Sequence, residues 1–190
     1  MTNHQNYEAK AKITLFQYLD IRKKLSDLGA RYLGLDEQTD TYGISKSGTR
    51  KKFRQSKIDG NLVIEYNREN KGESKLSNVN LGARTIDGKK GLEDFLRENT
   101  LLVTVKKKRH IYFVENVKIH LDLKVEGLDG PFLEVEAIDT DGKLGTEKIK
   151  SQCDYFLNLF GIKSTQHISG SYSDMLLEKQ NDGAKRNTLD

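Results

Sequence analysis

Two period-2 segments joined by a short turn carrying Gly and Pro occupy residues 116–138, NVKIHLDLKVEGLDGPFLEVEAI. Val117, Ile119, Leu121, Leu123 and Val125 alternate with Lys118, His120, Asp122 and Lys124; beyond the turn, Leu133, Val135 and Ala137 alternate with Glu134 and Glu136. Successive side chains of a strand point to opposite faces, so the stretch predicts a hairpin with one apolar and one charged face. A single hairpin of this kind is most simply a sheet with one solvated side. Recurrence constrains the fold further: the alternation returns in four more segments, and a sheet charged along one face throughout can close into a barrel lined with charge.

The chain of 190 residues is long enough for one domain that buries about 70% of its unfolded surface. Charged residues make up 32% and hydrophobic ones 35%, so charge must be accommodated somewhere beyond an ordinary surface. The net charge of +4 hides 32 Lys and Arg against 28 Asp and Glu, an interleaved mixture that argues against a nucleic-acid stripe and suits a phosphate-bearing small ligand equally well. The single Cys153 falls in an apolar helical pattern, which predicts a core thiol and leaves no disulfide framework or cysteine zinc site. No run approaches the ~20 apolar residues of a membrane span, and the expected location is the cytoplasm.

In chain order, YEAKAKI (7–13) predicts a first strand with Glu8, Lys10 and Lys12 on its charged side. Tyr18, Ile21 and Leu25, together with Leu15, Leu19 and Leu28, predict an amphipathic helix from Thr14 that ends at Gly29. Strand material follows near 31–34 and 38–42, then TRKKFR, whose alternation puts Arg50, Lys52 and Arg54 on one face. Asp59-Gly60 is a hairpin turn. The next strand, with Leu62, Val63, Ile64, Tyr66 and Arg68, has no cleanly apolar face, and residues 69–83 predict a mobile loop, suited to a lid, that runs back into a strand near Val79–Leu81. A helix begun by Asp87 precedes the longest strand candidate, 101–114, where alternation sends Lys107 and Arg109 inward and Lys106 and Lys108 to water. Ile149, Cys153, Phe156, Leu157 and Phe160 mark a third helix, and SYSD (171–174) starts a last helical turn. The polar residues 179–190 predict a disordered tail beyond a single domain of residues 5–178.

The inward-facing candidates are Glu8, Asp122, Glu134 and Glu136 with Lys10, Arg50, Lys52, Arg54, Arg68, Lys107 and Arg109. So many charges cannot sit unpaired in a dry core. A polyphosphate with a divalent metal satisfies both signs: Lys and Arg grip phosphate oxygens, and carboxylates hold Mg²⁺ or Mn²⁺. Glu134 and Glu136, two apart on one strand, have the spacing to share a metal; a charged, solvated sheet remains the alternative.

NYEAKAK (6–12), DTY (40–42), RKKFR (50–54), VIEYNR (63–68), VKKKR (105–109), IHLDLKVEGLDGPFLEVE (119–136) and SYSDMLL (171–177), seven pieces in order, resemble the CYTH superfamily, the triphosphate tunnel metalloenzymes that include class IV adenylyl cyclases and thiamine triphosphatases. The resemblance implies an α+β fold: a closed antiparallel barrel of about eight strands, a triphosphate tunnel, with helices packed outside. It implies Glu134, Glu136 and Asp122 at the metal, Mg²⁺ or Mn²⁺; Glu8, Lys10 and Asp122 as catalytic; and Lys10, Arg50, Lys52, Arg54, Arg68, Lys107 and Arg109 on the substrate phosphates. The family signature Glu-x-Glu-x-Lys meets Asn6 at its first place, which implies a weaker second metal or none.

The resemblance is nearest to the class IV cyclase-like branch through HLD around His120 and SYSDMLL, implying conversion of ATP to cyclic AMP and pyrophosphate. Hydrolysis of inorganic triphosphate, thiamine triphosphate or another nucleoside triphosphate uses the same clamp and stands as the alternative. A non-catalytic polyphosphate- or RNA-binding module is the third. A homodimer is compatible with the sequence, no membrane partner is expected, and the base preference is open.

Overall fold

A computed structural model describes residues 2–71 and 74–186. Eight strands form one closed antiparallel barrel: β1 (Thr2–Lys12), β2 (Arg31–Ser45), β3 (Arg50–Gln55), β4 (Asn61–Lys71), β5 (Ser74–Thr85), β6 (Asn99–Val114), β7 (Val117–Val125) and β8 (Phe132–Asp139). Around the wall the order is β1-β5-β4-β3-β2-β6-β7-β8, and β8 closes onto β1 with Glu8 opposite Glu136 and Lys10 opposite Glu134. Directly opposed residues share a face, so this register stacks the charged positions of the two strands together inside.

The apolar faces of β1, β7 and β8 point outward and are covered by helices. Tyr18, Ile21 and Leu25 of α1 (Leu15–Asp27), and Ile149, Cys153, Phe156 and Leu157 of α3 (Thr146–Leu159), pack with Tyr7, Ala9, Ile119, Leu121, Leu133 and Val135 in one core. Each of the larger aliphatic side chains contributes about 1.5–3 kcal/mol by leaving water. Thr14 starts α1 with a reciprocal cap: its hydroxyl accepts from the Gln17 amide at 3.1 Å, and its own amide donates to the Gln17 side chain at 3.0 Å. Cys153 is a core residue, its thiol pushed by burial up to about 12. On β3, Phe53 packs against Phe95 of α2 (Gly88–Glu98), an approach so close that a Cβ at Gly91 would lie 2.8 Å from the Phe53 ring.

One barrel mouth is plugged. Tyr172, Met175 and Leu176 of α4 (Tyr172–Arg186) meet the inward-facing Tyr42, Val103, Val105, Val125 and Phe132. Ser171 and Asp174 cap this helix reciprocally, the Ser171 amide donating to the Asp174 carboxylate at 3.0 Å and the Asp174 amide to the Ser171 hydroxyl at 3.2 Å.

Several sequence expectations are corrected. The strand expected near Val79–Leu81 is present but begins earlier, so that β4 runs to Lys71 and β5 from Ser74 where a lid loop was expected; residues 72 and 73 lie outside the described residues. The 31–34 and 38–42 pieces are one bent strand, β2, with register shifts at Tyr32/Gly34 and Tyr42/Gly43. Leu15, Leu19 and Leu28 are exposed, because only the Tyr18–Ile21–Leu25 stripe meets the barrel. Lys124, which alternates in phase with Lys118, His120 and Asp122 on the charged face, faces out beside Lys108. A bulge places Leu123 between the pairs Arg109–Asp122 and Lys108–Lys124, so the alternation changes phase and Val125 turns inward. The terminal helix continues to Arg186, well past the single turn expected. Among the described residues no helix is long and apolar enough to cross a membrane.

Candidate active site

The charged inner face holds two ion-pair clusters. In the first, Asp40 of β2 is fully buried and surrounded by cations: Arg54 donates to both its oxygens at 2.7 and 2.9 Å, Lys107 at 2.9 Å and Lys52 at 3.2 Å. Burial alone would raise this carboxyl, but Arg54, Lys107 and Lys52 hold it well below the usual range. Lys107 is driven the other way. Burial, and then the positive charge of Arg109, lower its ammonium to about 7 against the pull of Asp40.

In the second cluster Arg109 makes a forked pair with Asp122 through Nε and Nη2, at 2.7 and 2.6 Å; its Nη1 reaches His120 Nδ1 at 3.0 Å, and the same Nη2 lies 3.5 Å from Glu134. The Tyr172 hydroxyl donates to Asp122 at 2.6 Å, so both Asp122 oxygens are engaged. Lys10 bridges Glu8 and Glu134 at 3.0 Å each, with the Tyr172 ring 4.5 Å from its ammonium. Burial opposes charge at Glu134 also, yet Lys10 and Arg109 keep it ionised well below the ordinary range. His120 lies 2.9 Å from Glu134; burial and Arg109 lower the imidazole to about 4. At neutral pH it is therefore uncharged, with a lone pair to offer a metal or a donor.

The structure thus brings Glu8, Lys10, Lys52, Arg54, Lys107, Arg109, Asp122, Glu134 and Glu136 into the barrel. Arg50 lies at the plugged mouth instead, its guanidinium donating to Asp174 at 2.7 Å and Ser173 at 2.9 Å. The Arg68 side chain is outside the described residues. Lys106 and Lys108 point outward to Glu126 and Glu37. Sequence reasoning missed Asp40 as a site residue, although Gln38, Asp40 and Tyr42 alternate in the phase that buries all three. It also missed Tyr172, whose hydroxyl is brought to Asp122 by a helix distant in sequence.

A divalent cation fits one part of this lining. Among the described residues, ligand atoms of His120, Glu134 and Glu136 lie within 4.8 Å of one another. Asn6 donates its amide hydrogen to Glu136, and its carbonyl oxygen is buried with no partner among the described residues; the Nε2 atom of His120 is in the same position. Carboxylate and amide oxygens with a neutral imidazole are a donor set for a hard to borderline cation. The cavity between the clusters, lined by Lys10, Lys52, Arg54, Lys107, Arg109 and Glu134 among others, measures about 60 Å³, space for one or two waters. A triphosphate would have to part the ion pairs to enter.

The fold has known counterparts. The sequence profile of the CYTH domain matches residues 4–172, and the chain belongs to the CYTH domain family. Proteins of this family are adenylyl cyclase-like enzymes or triphosphatases and depend on a metal. No curated protein matches the chain. Among solved structures, a conserved hypothetical protein from Pyrococcus furiosus is similar over 89% of this chain and 98% of its own, at 21% identity and a TM-score of 0.67. A protein from Pyrococcus horikoshii OT3 shares 26% identity over 89% of this chain and 98% of its own, with a TM-score of 0.66. A Hippeastrum protein for which a dominant triphosphatase activity is described shares the fold at 16% identity, covering 93% of this chain and 96% of its own, with a TM-score of 0.63.

Proposed function

We propose that the protein is a metal-dependent enzyme that takes a nucleoside triphosphate into the barrel and converts ATP to cyclic AMP and pyrophosphate. The supporting observation is the placement of the His120–Glu134–Glu136 group beside Lys10, Lys52, Arg54, Lys107 and Arg109 in one closed barrel. On entry of the phosphates, Lys52, Arg54 and Lys107 turn from Asp40 to phosphate oxygens, and Lys10 and Arg109 turn from Glu134. Once turned, these cations surround the phosphate chain before the reaction begins and so stabilise the negative charge that develops in the transition state. Glu134 and Glu136, with His120, would hold Mg²⁺ or Mn²⁺, which when bound neutralises phosphate charge at the reacting phosphorus. Asp122 is assigned to orient Arg109, which holds both its oxygens in a fork that the Tyr172 hydroxyl joins, and it lies outside the His120–Glu134–Glu136 group.

Cyclisation forms a bond between the ribose 3′-oxygen and the α-phosphorus. The bond from that phosphorus to the bridging oxygen breaks, and pyrophosphate departs with the electron pair onto the Lys52–Arg54–Lys107 cations. Glu8, 3.0 Å from Lys10, is the carboxylate assigned to receive the 3′-hydroxyl proton. Incubation with ATP and Mn²⁺ followed by chromatography tests the reading: cyclic AMP with pyrophosphate is expected. ADP with phosphate would replace it by a triphosphatase, and binding without turnover by a non-catalytic polyphosphate module.

A further inference from the structure

The basic run of β6 leaves Lys106 and Lys108 outside the barrel, where they belong to a crevice of their own. Together with Lys57, Lys124, Glu37 and Glu126 they line a cavity of about 290 Å³ on the outer wall. Its four lysines come from β6, β7 and the turn between β3 and β4. Two carboxylates answer them: Glu37 lies 2.7 Å from Lys108 and 3.8 Å from Lys57, and Glu126 lies 3.6 Å from Lys106. Among the described residues Lys124 has no carboxylate partner, so positive charge is in surplus. Lys124 also stands directly opposite Lys108 in the β6–β7 ladder. Like charges placed so destabilise a sheet. The bulge at Leu123 creates this pair, since uninterrupted alternation would turn Lys124 into the barrel. An anion seated between the two ammonium groups cancels the repulsion.

We propose that this crevice docks an acidic segment of a partner protein, held extended with carboxylates at alternate positions. Lys106 and Lys108 are two residues apart on one strand, which spaces them by about 6.6 Å, the repeat of alternate side chains in an extended peptide. One carboxylate of the segment lies between Lys108 and Lys124, and the next lies at Lys106. An ammonium group has three donors, so Lys106 and Lys108 keep Glu126 and Glu37 while they take the peptide. The unbroken charge of a nucleic-acid strand suits the crevice less, because Glu37 and Glu126 stand among the lysines and repel it. The site is separate from the barrel interior: Lys107, between the two outward lysines, points in to Asp40.

Fluorescence anisotropy at low ionic strength tests this with three labelled probes: a short peptide of alternating Glu and Thr, its Gln and Thr counterpart, and a short oligothymidylate. The proteins are the unaltered chain, Lys108→Gln, Lys124→Gln, their double variant and Lys107→Ala, each checked by thermal melt. The acidic peptide is expected to bind and the neutral one not. Each outward substitution should weaken the acidic peptide by about two- to fivefold, the range of an exposed ion pair, and the double variant by more. Lys107→Ala, on the inner side of the same strand, should leave peptide affinity unchanged. Failure of the acidic peptide to bind, or equal affinity in the double variant, overturns the proposal. A loss in Lys107→Ala as large as in Lys108→Gln also overturns it by placing the peptide in the barrel. Oligothymidylate held more tightly than the peptide through the same lysines replaces the protein partner by a nucleic acid.

Discussion

Lys107 Nζ lies 2.9 Å from Asp40 Oδ2, an ion pair that joins residues 67 positions apart and is buried on both sides. With Arg54 and Lys52 on the same carboxylate, Asp40 is the shared counter-ion of three cations inside the barrel.

Asp40→Asn removes that charge from beside three buried cations, of which Arg54 keeps Asp59 at 3.2 Å. Breaking one partner of a buried pair costs about 3–5 kcal/mol, so the ligand-free variant should melt well below the unaltered protein. Tripolyphosphate supplies the missing negative charge, so its stabilising shift in the melt should be larger in the variant. An equal shift in both proteins would show that Asp40 and the ligand do not compete for the same cations.

The depressed Lys107 ammonium has a pH signature. Its folded value of about 7 lies below the ordinary lysine value, so at higher pH the unfolded chain binds the extra proton. The destabilisation from burying this charge is therefore fully present below about pH 7, and stability from this group rises as pH climbs from there toward the ordinary lysine range. Triphosphate binding should restore the proton, giving proton uptake above pH 7 in calorimetric titrations run in buffers of different ionisation enthalpy. Lys107→Ala should abolish the uptake.

Clamp residues are separable from their neighbours. Lys107→Ala and Arg109→Ala should each weaken triphosphate binding by about 1.5–3 kcal/mol while sparing the monophosphate. Lys106→Ala and Lys108→Ala remove exposed pairs with Glu126 and Glu37 and should change affinity little. Parallel titrations of the four variants with ATP and AMP check this.

Glu134→Gln and Glu136→Gln keep shape and remove charge. Turnover should collapse or demand far more Mn²⁺, while nucleotide still binds through the cations. Mn²⁺ titrations with thermal melts alongside decide it: unchanged metal dependence in a well-folded Glu134→Gln protein would remove that residue from the metal site.

The two-residue period of β1, β6, β7 and β8 was enough, on sequence alone, to sort inside from outside, because a strand has only two faces. Lys107 and Arg109 point in, Lys106 and Lys108 out, and Ile119, Leu121, Leu133 and Val135 lie under helices, as their spacing requires. The period does not say where a phase change occurs. Lys124 faces out and Val125 in because a bulge at Leu123 lets β7 follow β6, a matter of two strands together. Nor does it say which anion meets which cation. Asp40 finds Arg54, Lys52 and Lys107 only once β2 lies between β3 and β6, and Tyr172 finds Asp122 only once α4 plugs the barrel. Leu62 and Ile64 were ambiguous because both faces of β4 carry apolar residues; pairing with Lys52 and Arg54 turned them into the barrel. Local alternation thus set which side chains are inside, and strand order, register and closure decided which of them meet.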